Sequence, residues 1–162
     1  MINLRYSNLK MAYFITVIVF LFGIFTIIVP LVFVYMLPNA GIAYYITQYQ
    51  NYFLFTIPIF LYFIINGVFL YEVKIDSYVI QVTSHRTITG FFNHKNYIDI
   101  SHNMLKGYSF FDRPFSMNKT LMLKIEGNNK QVLKRFNMTL ISEKEIERIS
   151  KTLDRVIEKT IN

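Results

Sequence analysis

Two patterns divide the chain at residue 72. From Met11 to Tyr71 there are 61 consecutive positions without Asp, Glu, Lys or Arg, whereas from Glu72 onward charges return and apolar and polar residues alternate. Within the uncharged stretch, residues 11–37 are dominated by Ile, Val, Phe and Leu. A helix rises about 1.5 Å per residue and about 20 residues cross the hydrocarbon core, so this run predicts a transmembrane helix with length to spare. A cleaved leader has an apolar core of only about 7 to 15 residues followed by small residues. This run is longer and lacks them, which predicts a retained anchor.

Pro38-Asn39-Ala40-Gly41 reads as a break, and residues 42–51, uncharged but carrying Tyr44, Tyr45, Gln48, Tyr49, Gln50 and Asn51, suit the headgroup zone. A second apolar run, residues 52–71, predicts a second span and hence a helical hairpin. Cations flank the pair (Arg5, Lys10, Lys74) and are missing from the connection, which puts both termini in the cytoplasm of a multi-pass protein of the inner membrane. Pro30 and Pro58 lie inside the runs, where neighbouring helices re-satisfy the freed backbone groups. Asn66 is the candidate for a helix–helix contact, with the first span or with a second copy. Neither run holds an ionisable residue, so no proton relay or ion pathway is expected.

Beyond residue 72 the period becomes two. Val73 and Ile75 alternate with Glu72, Lys74 and Asp76; Asp76-Ser77 is a turn; Ile80 and Val82 alternate with Gln81 and Thr83. Further strands are expected before Gly90, over 93–100, over 105–111, at Leu121, Leu123 and Ile125, and over 132–136 beyond an Asn128-Asn129 turn. In that last hairpin a two-residue turn puts Lys134 on the core face beside Leu123, which calls for a bulge or for Lys134 to extend to the rim. Ser142 and Glu145 form a capping box, with Ile141 and Ile146 as a hydrophobic staple. Ile146, Ile149, Leu153, Val156 and Ile157 then share one helical stripe. The expected fold is therefore a membrane α-helical hairpin (residues 1–71) plus a mainly β domain of about seven strands closed by a C-terminal helix (residues 72–162).

That order resembles the bacterial membrane proteins that carry a pleckstrin-homology-like (PH-like) domain. The resemblance rests on the strand pair over 71–84, Gly90-Phe91-Phe92, the Ile-rich strand over 97–100, the late hairpin and the helix over 142–159. It implies a small membrane-attached interaction domain, with no catalytic signature and no cofactor.

Charge and composition change this picture little. The net charge of +7 divides into +2 ahead of the apolar stretch and +5 after it. Beside a membrane segment this favours anionic lipid over nucleic acid, or simply marks the cytoplasmic side. The absence of Cys removes thiolate chemistry and disulfides. His85, His94 and His102 lack metal-ligand spacing, so no metal is expected. Lys124, Lys130 and Arg135 on the late hairpin, with Arg113 beside Pro114, are the candidate lipid- or partner-binding residues; solvated surface charge is the plainer account. Phe110, Phe111 and Phe115 suit a contact patch, although core filling is the simpler expectation. Two classes of function remain. One is a non-catalytic binding or scaffold module whose partners are membrane lipids, another membrane protein or itself, in a larger membrane complex. The other is a catalytic or transport-associated subunit working through its helices.

Overall fold

The computed structural model describes residues 3–36, 38–39, 41–48, 53–87, 95–127 and 130–161. It begins with a strand, β1 (Leu4–Ser7), ahead of the first helix, where none was expected. Helix α1 (Leu9–Met36) follows, 28 residues or about 42 Å long, and is long and apolar enough to cross a membrane. Its large side chains face outward rather than into a core: Phe14, Phe20 and Phe25 are each more than 60 % exposed. Residues Ile24–Ile28 widen into a π-helical segment just ahead of Pro30. Proline has no N–H for the carbonyl four residues earlier, so widening the helix there relieves its ring.

After a turn at Pro38-Asn39, α2 (Gly41–Gln48) packs back along the end of α1, and α3 (Phe53–Asn66) packs against its middle and beginning. Residues 41–48, expected at the headgroups, are thus helical and folded onto α1. Gly23 lets the two arms approach, because a Cβ there would lie 2.6 Å from the Phe60 ring. The second expected span is also shorter at its end. Helix α3 stops at Asn66, where Gly67 takes φ +71 and returns its N–H to the Phe63 carbonyl at 2.9 Å, a left-handed cap. Its 14 described residues rise only about 21 Å. Phe69, Leu70 and Tyr71 belong to the next strand.

That strand, β2 (Phe69–Ile75), pairs on one side with β1 and on the other with β3 (Val79–Arg86), which pairs with β4 (Asn96–Ser101). All three pairings are antiparallel. A second sheet holds β5 (Leu105–Asp112), β6 (Asn118–Gly127) and β7 (Lys130–Thr139) in that order. Six strands are described after the helices where about seven were expected, and a seventh, β1, precedes the first helix. The strand expected before Gly90 falls mostly outside the described residues, as do His94, the Gly90-Phe91-Phe92 step and the Asn128-Asn129 turn.

Strand β7 lies against β2 and β3 across the core, and α4 (Glu143–Ile161) closes the open end. Val73, Ile75, Ile80, Val82, Leu121, Leu123, Phe136, Ile149, Leu153 and Val156 are buried in one cluster. The expected cap is present: Ser142 N–H donates to Glu145 Oε2 (2.9 Å), and Glu145 N–H donates to Ser142 Oγ (3.3 Å). Strands β6 and β7 keep an unbroken register with Leu123 opposite Lys134, and Lys134 is exposed. The rim explanation holds and no bulge intervenes.

Candidate functional site

The most highly organised polar cluster sits where the helices enter and leave the sheets. Asn8 links β1 to α1. Its Nδ2 donates to the carbonyls of Phe69 and Thr139, both at 2.9 Å, and its Oδ1 accepts from Tyr71 N–H at 2.8 Å. Thr139 Oγ1 accepts from Phe69 N–H at 2.7 Å and donates to Asn118 Oδ1. Asn118 Nδ2 donates to the carbonyls of Asn66 (3.0 Å) and Gly67 (3.1 Å), the last groups of α3. Two asparagines and a threonine thereby fasten the start of α1 and the end of α3 to the second sheet.

A second set of contacts comes from the end of β3. Thr87 N–H donates to the Val68 carbonyl at 2.8 Å, and the hydroxyls of Thr87 and Thr16 lie 2.6 Å apart. Arg86 donates to the carbonyls of Ile64 and Ile65, placing a cation at the negative end of α3. Ala12, Val68 and Leu70 are buried beneath, with Ile15 and Phe63 packed on them. Apolar packing and hydrogen bonding therefore coincide, and the domain cannot pivot on the helices without breaking several bonds.

The ion pairs lie on the domain side. Glu72 accepts from Arg5 (3.0 Å) and meets Lys74 (3.3 Å). Its partial burial pushes the carboxyl up, but Lys74 and Arg5 together hold it below the usual glutamate range. Burial, and next the nearby Glu145, pushes the Tyr71 phenol well above its ordinary value.

The four cations singled out in the sequence do not form one patch. Arg113 is exposed in the β5–β6 loop, at the helix end of the domain. Lys130 is at the other end: β6 runs nine steps from Asn118, bonded to α3, to Gly127, paired with Lys130, which is about 30 Å along the strand. Lys124 and Arg135 lie between, on the outward face, where Lys124 borders a shallow cavity of about 200 Å³ with Met122, Leu133 and Gly107. Asn66, the expected helix–helix contact, turns its amide to the Tyr62 carbonyl of its own helix (3.2 Å); the close approach is at Gly23 and Phe60. Of the three Phe residues, Phe110 packs against the core as core filling expects, whereas Phe115 is 95 % and Phe111 48 % exposed.

Two polar hollows lie elsewhere. One, of about 290 Å³, is bordered by Tyr78, His102 and Lys159; the other, of about 190 Å³, by Glu72, Lys74 and Tyr97. Among the described residues no three His, Asp or Glu side chains converge as a metal site. Comparison with known proteins gives no match to a family model, a curated protein or a solved structure.

The sequence reading missed Asn8, Thr87, Asn118 and Thr139. A signal for the first was present: Leu4 and Tyr6 alternate with Arg5 and Ser7, the period of a strand, and Asn8 stands where a helix cap is favoured.

Proposed function

We propose that the chain is a membrane-anchored, non-catalytic binding or scaffold module. Its helices form a hairpin in the cytoplasmic membrane with both termini inside, and its two sheets and last helix form a PH-like domain presented at that face within a larger membrane complex. The observation that carries this reading is the pairing of β1 with β2. The strand before the apolar helices and the strand after them are hydrogen-bonded neighbours, Leu4 opposite Ile75 and Ser7 opposite Glu72. Both ends of the helical segment therefore belong on one side of any membrane it enters, and the cations Arg5, Lys10 and Lys74 favour the cytoplasmic side. The same pairing speaks against a removable leader, since losing the first helix would strip β1 from its sheet.

The PH-like reading is supported by the order of four strands, three strands and a closing helix. Catalysis or transport within the helices has little to work with: apart from tyrosines and Lys10, the polar side chains of α1 and α3 are Thr16, Thr26, Thr56 and Asn66. The outward-facing Lys124, Lys130 and Arg135, held away from the helix ends, suit an acidic partner better than the lipid of the same leaflet, because screening acts over about 8 Å at physiological salt.

The test has two parts. Reporter fusions at Asn39 and Asn162 should be active outside and inside respectively; an externally active fusion at Asn162 overturns the topology. Purification in mild detergent of the wild type and of K124E/R135E should yield an acidic protein with the former and not the latter, both chains remaining in the membrane fraction. Identical elution of both without a partner overturns the binding role.

A further inference from the structure

The β5–β6 loop is held in an unusual state. Phe115 is 95 % exposed and has φ 57, a left-handed backbone that a bulky residue adopts only under constraint. The constraint is visible on its C-terminal side: Ser116 N–H donates to the Arg113 carbonyl at 3.2 Å, and Asn118 N–H donates to Ser116 Oγ at 3.1 Å. Asn118 is itself anchored to the end of α3. An exposed phenylalanine on a rigid, strained turn is a costly thing to offer to water.

Met117, two residues on, marks the level of the helices that the loop reaches. Met117 borders an apolar cavity of about 310 Å³ with Ile15, Ile18, Val19, Phe22, Ile59 and Phe63, all from α1 and α3. Ile15 already lies about 9 Å along α1 from Leu9. The loop therefore reaches past the entry of the first helix, to a level where the helix exterior is apolar: Phe14, Val17 and Ile18 are exposed there.

We propose that residues 113–117 form a third membrane contact, with Phe115 seated among the outer acyl carbons and Arg113 at the lipid phosphates. The proposal rests on the membrane reading above. Aromatic rings favour this depth, and an Arg stem lies along apolar surface while its guanidinium stays at the headgroups. Asp112 remains on the domain side, paired with Lys119 at 3.2 Å. With the domain already clamped to the helices, a wedge at this point sets the tilt of the whole unit against the bilayer.

The sequence has no Trp, so a single introduced Trp is a unique fluorophore. Full-length F115W, F14W and Y78W, all at exposed positions, are reconstituted in phosphatidylcholine–phosphatidylglycerol vesicles with and without brominated acyl chains. Phe14 is on α1 and Tyr78 is at the far β2–β3 turn. The expected result is that F115W is blue-shifted and quenched like F14W, most strongly by shallow bromines, and that adding R113E weakens its quenching, while Y78W is unquenched. Emission from F115W that matches Y78W overturns the proposal, as does a blue shift without quenching, which means that protein covers the ring. An unquenched F14W instead overturns the membrane reading and the proposal with it.

Discussion

Replacing Asn118 by Ala tests whether the junction is a rigid clamp. The side chain is 1 % exposed and makes three hydrogen bonds, two donated to the carbonyls of Asn66 and Gly67 and one accepted from Thr139. Each such bond contributes about 0.5–1.5 kcal/mol net, and more where a buried partner is left unsatisfied, so the loss should be about 2–4 kcal/mol. The backbone pairing of Asn118 with Thr139 survives, so the cost should be local. Amide exchange of the full chain in detergent reads it directly. The Phe69 and Tyr71 amides are held by the side chains of Thr139 and Asn8, and should exchange about 30-fold faster or more. Amides of Leu121 and Leu123 should change far less. Thr139→Val should produce the same pattern, and the double variant should cost less than the sum because each single change already orphans the other partner. Unchanged exchange at Phe69 and Tyr71, or strict additivity, would refute the clamp.

Leu153→Ala should cost about 2–5 kcal/mol, since the side chain is 1 % exposed on the core-facing side of α4, and Leu153→Asp should cost more; thermal unfolding of the full chain in detergent measures both. For Glu72, whose folded carboxyl is held below its usual range, the unfolded chain binds the extra proton. Its contribution should therefore be complete above about pH 4.3 and disappear as pH falls through the lower folded value; E72Q should remove this part of the pH dependence of the thermal midpoint. A fragment of residues 72–162 should exchange its β2 and β3 amides much faster than the full chain, because it lacks β1, Asn8 and the first half of β2; equal protection would show that these segments add nothing.

What could be read from the sequence depended on how local its cause was. The α4 cap is set by residues three apart, and the position of Lys134 by a two-residue turn. Both interactions close within a few residues, and both expectations held. Strand β1 was hidden because its partner β2 lies more than 60 positions away and four residues carry little periodicity. The end of the second apolar run misled for a different reason. Phe69, Leu70 and Tyr71 are as apolar as the helix before them, and composition alone does not separate a buried strand from the last turn of a helix. Gly67, in the left-handed conformation, makes the division. Phe115 was misread because apolar residues in a small domain are expected inside, whereas its turn, held by Ser116 and Asn118, points the ring outward.

The placement of the helices within the β fold has a mechanical consequence. They occupy the connection between two adjacent antiparallel strands, a position normally filled by a short turn. Closing a flexible loop of about 60 residues costs about 3–4 kcal/mol through the logarithm of its length alone. A packed pair of apolar helices removes most of that cost, because it brings Asn8 and Gly67 together before the strands pair. The close contact at Gly23 and Phe60 and the pairing of β1 with β2 thus favour one another. The domain is coupled to the helices through sheet register rather than through a linker. Tilting α1 against α3 has to strain Asn8, Thr139 and Asn118, and through them β2 and β7, which lie against each other across the core. In the membrane reading proposed above, a domain joined in this way is held close to the bilayer, which raises its effective concentration there, and it is also held in one orientation. The proposed scaffold role needs that fixed orientation, and the hydrogen bonds that impose it connect side chains far apart in the sequence.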